Sequence, residues 1–252
     1  MAHSITLLMY HQVGAFAPMA RHRSTYCDHR RFAAQMAWLK RWRYQVLTLD
    51  QAVAALAGQR PLPARAVVLT FDDGYLNFYQ YAYPQLRRHG FPATVYLLSD
   101  YIGRTADWFA ADGRDCPPLL DRARIIEMGD HGIQFGSHGV SHHKLAELDP
   151  QEAAQELVQS KSALEALLER PIDHFCYPYG SHSPTVVEQA RQAGYRTAVT
   201  CVRAAARPGW DWLQLPRKAI SYGDTLAGFA FKLAFKNEPK GRLPGFAEVG
   251  ID

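Results

Sequence analysis

Val67-Val68-Leu69-Thr70-Phe71-Asp72-Asp73-Gly74-Tyr75 is the stretch that most constrains the fold. Its first half is an unbroken run of apolar and β-branched residues, the pattern of a strand buried on both faces. Strands of that kind belong to parallel sheets covered by helices, so an α/β architecture is expected. Its second half places two adjacent carboxylates at the strand end, followed at once by glycine. Neighbouring strand residues point to opposite faces. Asp72 and Asp73 can therefore share a direction only where the strand breaks into a loop, which Gly74 permits. Two carboxylates crowded together coexist best when a cation or a proton separates them. A polar turn with no chemistry is the competing reading of this stretch taken alone.

The remainder of the chain alternates in the same way. Ile5 to Met9 reads as a first strand with His11 at its C-terminal end, followed by a polar loop of about fifteen residues. Phe32, Met36, Leu39 and Trp42 recur at helical spacing over 30–42. Tyr44 to Leu49 is a strand, and Asp50 is expected to cap the helix that ends at Gly58. After Asp73 the pattern predicts a helix over 76–88, a strand from Ala93 to Leu98 and a long loop over 100–117. A helix over 119–128 and a strand over 133–137 ending at His138 follow. Asp149-Pro150-Gln151-Glu152 has the form of a capping box and starts a helix that stops before Pro171. A strand over 174–177, a helix from Ser183 to Gly194, a strand over 196–201 and a last strand over 215–220 complete the series.

About seven strand–helix repeats in 252 residues, 48% of them hydrophobic and 21% charged, favour one domain. The expected fold is a distorted (β/α)7-type barrel spanning residues 1–221. Residues 222–252 are expected to add a C-terminal helix and an irregular tail packed on the barrel. Phe229 and Leu233 read as packing residues of that helix rather than as a membrane-facing stripe.

Composition excludes several function classes. A net charge of +4 without lysine- or arginine-rich runs argues against a nucleic-acid partner. Cys27, Cys116, Cys176 and Cys201 form no CxxC pair, so neither a zinc ribbon nor a disulfide framework is indicated. No apolar run is long enough to span a bilayer, and the start of the chain lacks the pattern of a signal peptide. A cytoplasmic protein is expected from the chain as given, or a periplasmic or extracellular one if a leader was removed. Oligomeric state is left open.

Reactive residue types collect at one position in the repeat. His11, Asp72 with Asp73, His138 and Tyr179 all follow predicted strands. In a parallel barrel those strand ends share the face that carries the active site. His138 and His142 are separated by three residues and would share a face, as i and i+4 do, if the loop coils after His138. Two imidazoles and a carboxylate suit a divalent metal. Zinc is the default, with cobalt and nickel as the other candidates. A histidine-rich surface loop is the alternative, and His143 reads as a bystander. In Phe175-Cys176-Tyr177-Pro178-Tyr179-Gly180, backbone N–H groups of the turn could serve an oxyanion. Trp108, Phe109, Trp210 and Trp212 could stack on sugar rings or simply pack.

Taken in order, Thr70 to Tyr75, Ser137 to His142 with Leu145, and Tyr177 to Gly180 resemble the motifs of polysaccharide deacetylases with the NodB homology domain (carbohydrate esterase family 4). The resemblance covers roughly residues 5–221. It implies a distorted (β/α) barrel and metal-assisted removal of acetyl from N-acetylated oligo- or polysaccharide. Asp73, His138 and His142 resemble the metal-binding triad, Asp72 the general base, and the Tyr179 backbone N–H the oxyanion donor. Two positions depart from the pattern. Cys176 stands where the family has an arginine that orients the base, and Arg217 is the candidate substitute. No late Leu-x-x-His supplies the acid. Met9-Tyr10-His11-Gln12-Val13 instead resembles the exopolysaccharide deacetylases whose acid histidine follows the first strand. A deformylase or deacetylase of a lipid-linked or small sugar, and an inactive carbohydrate-binding barrel, are the rival readings. The sugar itself is not legible.

Overall fold

The computed structural model describes residues 4–19 and 21–239. Its centre is an eight-stranded parallel sheet. The strands are β1 (Thr6–Tyr10), β4 (Gln45–Leu47), β5 (Ala66–Phe71), β6 (Ala93–Leu97), β7 (Ile133–Ser137), β8 (His174–Cys176), β9 (Thr197–Val199) and β10 (Lys218–Ala219). They run in the order β10-β1-β5-β6-β7-β8-β9, with β4 paired to β5 beside it. The sheet curls until its ends nearly meet. Leu215 forms a parallel bridge with Val199 of β9, while Lys218 three residues on pairs with Leu8 of β1. One short segment thus joins both edges of a distorted (β/α) barrel.

The α-helices are α1 (His29–Arg41), α2 (Leu49–Leu56), α3 (Tyr83–His89), α4 (Arg122–Asp130), α5 (Pro150–Leu168), α6 (Pro184–Gln192) and α7 (Leu226–Ala234). Strand β5 shows how the layers form. Val67, Leu69 and Phe71 pack outward into the cluster shared with helix residues Phe32, Met36 and Leu86. Val68 points the other way, into a second cluster with Leu7, Tyr96, Cys176 and Val199. Both faces are buried, as the apolar run requires. By the same parity Asp72, two residues beyond Thr70, faces the barrel interior.

Local chemistry moved several boundaries. Thr48, not Asp50, caps α2, in a reciprocal capping box with Gln51. The Thr hydroxyl meets the Gln51 N–H while Asp50 occupies the first turn. Asp149 does cap α5 with Pro150 behind it, but through the Gln151 N–H. The helix expected over 76–88 is split. Phe78–Ala82 is π-helical and α3 begins only at Tyr83. Pro84, which has no N–H to donate into the preceding turn, stands at that junction.

The polar loop after β1 contains β2 (Gln12–Gly14) and β3 (Tyr26–Asp28), which pair with each other. Strands this short carry too little alternation to read from sequence. The last predicted strand shrinks to two residues, because Leu215 bridges in one direction and Lys218 in the other. Helix α7 lies against α1. Phe229 is fully buried and meets Trp38 edge-on at 5.8 Å. The tail beyond residue 239 lies outside the described residues. Among those described, no helix is long and apolar enough to cross a membrane.

Candidate active site and metal centre

The Asp72–Asp73 pair ends β5 in an unusual turn. Asp72 still donates its N–H to Tyr10 O at 2.9 Å, as a strand residue would. Asp73 then takes φ 71° and Gly74 φ 70°. Two successive left-handed residues swing Asp73 round so that neighbouring carboxylates enter the same cavity. Non-glycine residues enter that region at a cost, and such strain gathers at functional sites. Gly74 is constrained further, since a Cβ there would lie 2.7 Å from Leu97 Cδ2.

His138 follows β7, and its Nδ1 lies 2.7 Å from Cys176 O. A carbonyl only accepts, so Nδ1 carries the hydrogen and Nε2 presents a lone pair. That Nε2 lies 3.1 Å from Asp73 Oδ1, and His142 Nε2 lies 3.4 Å from the same oxygen. Asp73 Oδ1 nonetheless has no hydrogen-bond partner of ordinary geometry. Three lone-pair donors, mutually within 4.8 Å and buried, converge without bonding one another. This donor set fits a divalent cation. Burial pushes the Asp73 carboxyl up, but His138 and His142 draw it well below the usual carboxylate range. Burial pulls the His142 imidazole down, toward the neutral form a ligand needs, whereas at His138 the lowering by burial is outweighed by Cys176 and Asp73, which draw that imidazole up.

The two histidines meet by a different route from the coil expected. Gly139 and His142 are both left-handed, at φ 86° and 64°, and the loop doubles back instead of starting a helix. Glu156 of α5 holds it there. Its Oε2 accepts from the Val140 and Ser141 N–H groups at 2.6 and 3.2 Å. The Ser141 hydroxyl donates to its Oε1. Sequence reasoning missed Glu156. The available signal was an acid on the buried face of α5, alongside Ala153, Leu157 and Ser160. His143 stays at the surface, its side chain 61% exposed.

Asp72 is gripped by Arg217. The guanidinium bonds Oδ1 at 2.6 Å and Oδ2 at 2.8 Å. Its remaining hydrogens go to Thr70 Oγ1, Thr200 O and Cys176 Sγ, at 3.0, 3.0 and 3.1 Å, so all five donors are used. Cys176 thus occupies the place where the resemblance expected an arginine, and its small side chain leaves room for one arriving from the strand edge at β10. Burial would raise the Asp72 pKa, but the charge of Arg217 outweighs it and the carboxyl ends below its ordinary value. Asp72, His138 and Cys176 form a second group with ligand-like spacing. Both Asp72 oxygens are committed to Arg217, and burial pushes the Cys176 thiol up, so the Asp73 group offers the freer donor set.

His11 Nε2 stands 3.8 Å from Asp72 Oδ2, and its buried Nδ1 has no hydrogen-bond partner. Tyr179, at φ 57°, forms the turn after β8 and rests its ring 4.5 Å from that of His142. His11, Asp72, Asp73, His138, His142 and Tyr179 all line one cavity of about 150 Å³. Trp108 and Phe109 line it too, with Trp108 4.5 Å from His142. Phe109 also stacks on Tyr75. Trp210 and Trp212 are not among the lining residues; Trp212 packs against the inner cluster. Larger hollows, such as one of about 340 Å³ beside Leu86 and Ile133, hold no such constellation.

Residues 59–198 match the family model described as polysaccharide deacetylase. The chain is 30% identical over 227 residues to YxkH of Bacillus subtilis (strain 168), named for the polysaccharide deacetylases, covering 90% of this chain and 74% of that one. It is 27% identical over 230 residues to the poly-β-1,6-N-acetyl-D-glucosamine N-deacetylase of Escherichia coli (strain K12), covering 78% of this chain. That match spans only 34% of the Escherichia coli protein. The Streptococcus pyogenes deacetylase PplD, solved with acetate, superimposes with a TM-score of 0.80 at 24% identity. The superposition covers 95% of this chain and 100% of that one, and supports the fold.

Proposed function

The chain belongs to the polysaccharide deacetylase family, and from that premise we propose that it removes N-acetyl groups from N-acetylated sugars of a polysaccharide or its precursor. One observation carries the reading. Asp73, His138 and His142 converge in the same cavity as an Asp72 held ionised by Arg217.

Asp73 Oδ1 and the two Nε2 atoms would hold the divalent ion, zinc by donor type with cobalt or nickel as alternatives. Bound there, it would polarise the acetyl carbonyl and acidify a water. Asp72 accepts the proton of the attacking water. Arg217 fixes its orientation and keeps it unprotonated until that moment. The Tyr179 N–H donates to the oxygen that gains charge as the carbonyl carbon becomes tetrahedral. His11 protonates the sugar nitrogen as the C–N bond breaks, because an amine leaves poorly without a proton. Water supplies the new C–O bond, and acetate and a free amino sugar result. Trp108, at the cavity wall, offers an aromatic face to the sugar.

The test is acetate release from short β-1,6-linked N-acetylglucosamine oligomers, the chemistry for which the Escherichia coli relative is named. Metal-stripped protein is expected to be inactive and to recover with zinc or cobalt. Folded protein that takes up no metal would sink the reading.

A further inference from the structure

Across Cys201 from the active cavity lies a second one, of about 250 Å³. Five cationic side chains line it, Arg203, Arg217, Lys218, Lys232 and Lys236, and no acid does. Arg217 is balanced by Asp72, and Lys232 by Asp224 at 2.5 Å. The other three have no carboxylate partner among the described residues.

The interior of this patch is unrelieved. Lys218 is 1% exposed and spends its three hydrogens on neutral acceptors, Lys232 O, Phe235 O and Asn237 Oδ1. Burial, with the charge of Arg203 nearby, pulls its pKa down to about 8. Arg203 Nε is buried and lacks a hydrogen-bond partner. Like charges packed with no carboxylate partner among the described residues favour a bound anion, and guanidinium is the group best shaped to bond one through two oxygens. Arg203 and Lys236 are left to contact it, with the charge of Lys218 behind them, and such a set suits a multivalent oxyanion better than a single carboxylate.

We propose that this cavity binds a phosphate-type group carried by the substrate beside its acetylated sugar, with Arg203 as the principal contact. Position ties it to the reaction. Cys201 lines both cavities, and the Tyr179–Gly180 turn rests on it so closely that a Cβ at Gly180 would lie 2.8 Å from Cys201 Cβ. A group seated at Arg203 would therefore orient the neighbouring sugar toward Asp72. The phosphate could belong to a pyrophosphate-linked lipid carrier or to an ester on the polymer. Phe231 and Phe235, exposed near Lys236, suit the lipid source. The inference deepens the deacetylase reading and rests on it for what the phosphate is attached to.

The experiment has two arms on metal-loaded full chain. In the first, inorganic phosphate is titrated calorimetrically into the wild type, Arg203→Gln and Lys236→Gln, with metal content measured before and after. Loss of a charge-assisted contact is expected to weaken binding about tenfold in Arg203→Gln. The surface change Lys236→Gln should weaken it less, and serves if Arg203→Gln does not fold. No binding, or binding that neither change weakens, overturns the proposal. In the second arm, acetate release is compared among a neutral oligomer, a phosphate-bearing oligomer and an N-acetylglucosaminyl pyrophosphoryl lipid. The kcat/KM advantage of a phosphorylated substrate should shrink about tenfold in Arg203→Gln, and the arm with the larger advantage identifies the source. No such advantage overturns the proposal even if neutral oligomer is deacetylated. Arg203-dependent phosphate binding with no acetate from any substrate would instead leave the site standing and remove the deacetylase reading.

Discussion

Arg217 closes on Asp72 through two parallel hydrogen bonds, 2.6 and 2.8 Å long, in a pocket where neither side chain is more than 3% exposed. The two lie 145 residues apart in the chain. Removing one partner of a buried pair leaves the other uncompensated, at a cost of about 3–5 kcal/mol. Arg217→Met is therefore expected to lower the midpoint of urea unfolding substantially. The pH dependence follows from the sign of the Asp72 shift. A carboxyl held below its ordinary pKa adds stability above that ordinary value, and the contribution fades as pH falls through the depressed one. Without Arg217, burial dominates and the Asp72 pKa rises. The acidic limb of the kcat–pH profile should then move to higher pH. Adding Cys176→Arg to the same variant should move it back, since that side chain starts beside the vacated space.

His11 is expected to matter for some substrates and not others. An acid helps only when the leaving group needs a proton. His11→Gln should lower kcat on N-acetyl sugars by about 10²–10⁴. With 4-nitrophenyl acetate, whose leaving group departs as a stable anion, the loss should be far smaller. Equal losses on both substrates would remove His11 from the acid role and leave it a structural neighbour of Asp72, 3.8 Å away.

Asp73 and Asp72 adjoin in sequence yet should fail differently. Asp73→Ala removes a converging donor, so elemental analysis should find little bound metal. Asp72→Asn should keep the metal and lose about 10²–10⁴ in kcat. Metal retained by Asp73→Ala would place the ion elsewhere, and the group of Asp72, His138 and Cys176 would be the next to test.

Much of this site was legible because its residues sit at strand ends, and strand ends can be read from apolar runs. Val67 to Phe71 marked β5, and the Asp-Asp-Gly after it marked the break. Arg217 could be named as a candidate but not placed, since its pairing depends on how far the sheet curls. Curl is set by contacts such as Leu215 with Val199, which no local pattern encodes. The path of 138–142 is not legible from spacing for a related reason. Spacing suggested a helical turn, whereas the loop is shaped by bonds to α5, which begins several residues further on. Trp108 stood in a loop with no periodicity, and only the structure sets it against His142.

Glu156 touches no reacting group, yet it should govern metal affinity. It takes hydrogen bonds from three successive groups of the 140–141 loop, the Val140 and Ser141 N–H and the Ser141 hydroxyl. The loop pressed onto it is the one that carries His142 at φ 64°. A left-handed histidine persists only while its surroundings enforce it. In Glu156→Ala the half-buried N–H groups lose their acceptor and the loop is free to relax, carrying His142 Nε2 away from Asp73. Outer contacts of this kind typically cost 10–100-fold in metal affinity when removed. Competition with a chelator should therefore show weaker metal binding in Glu156→Ala, with kcat recovering as metal is added in excess. Glu156→Gln keeps an oxygen acceptor and should recover part of the affinity. A variant that lost activity at saturating metal as well would mean that Glu156 shapes the substrate side of the cavity and not the metal side alone.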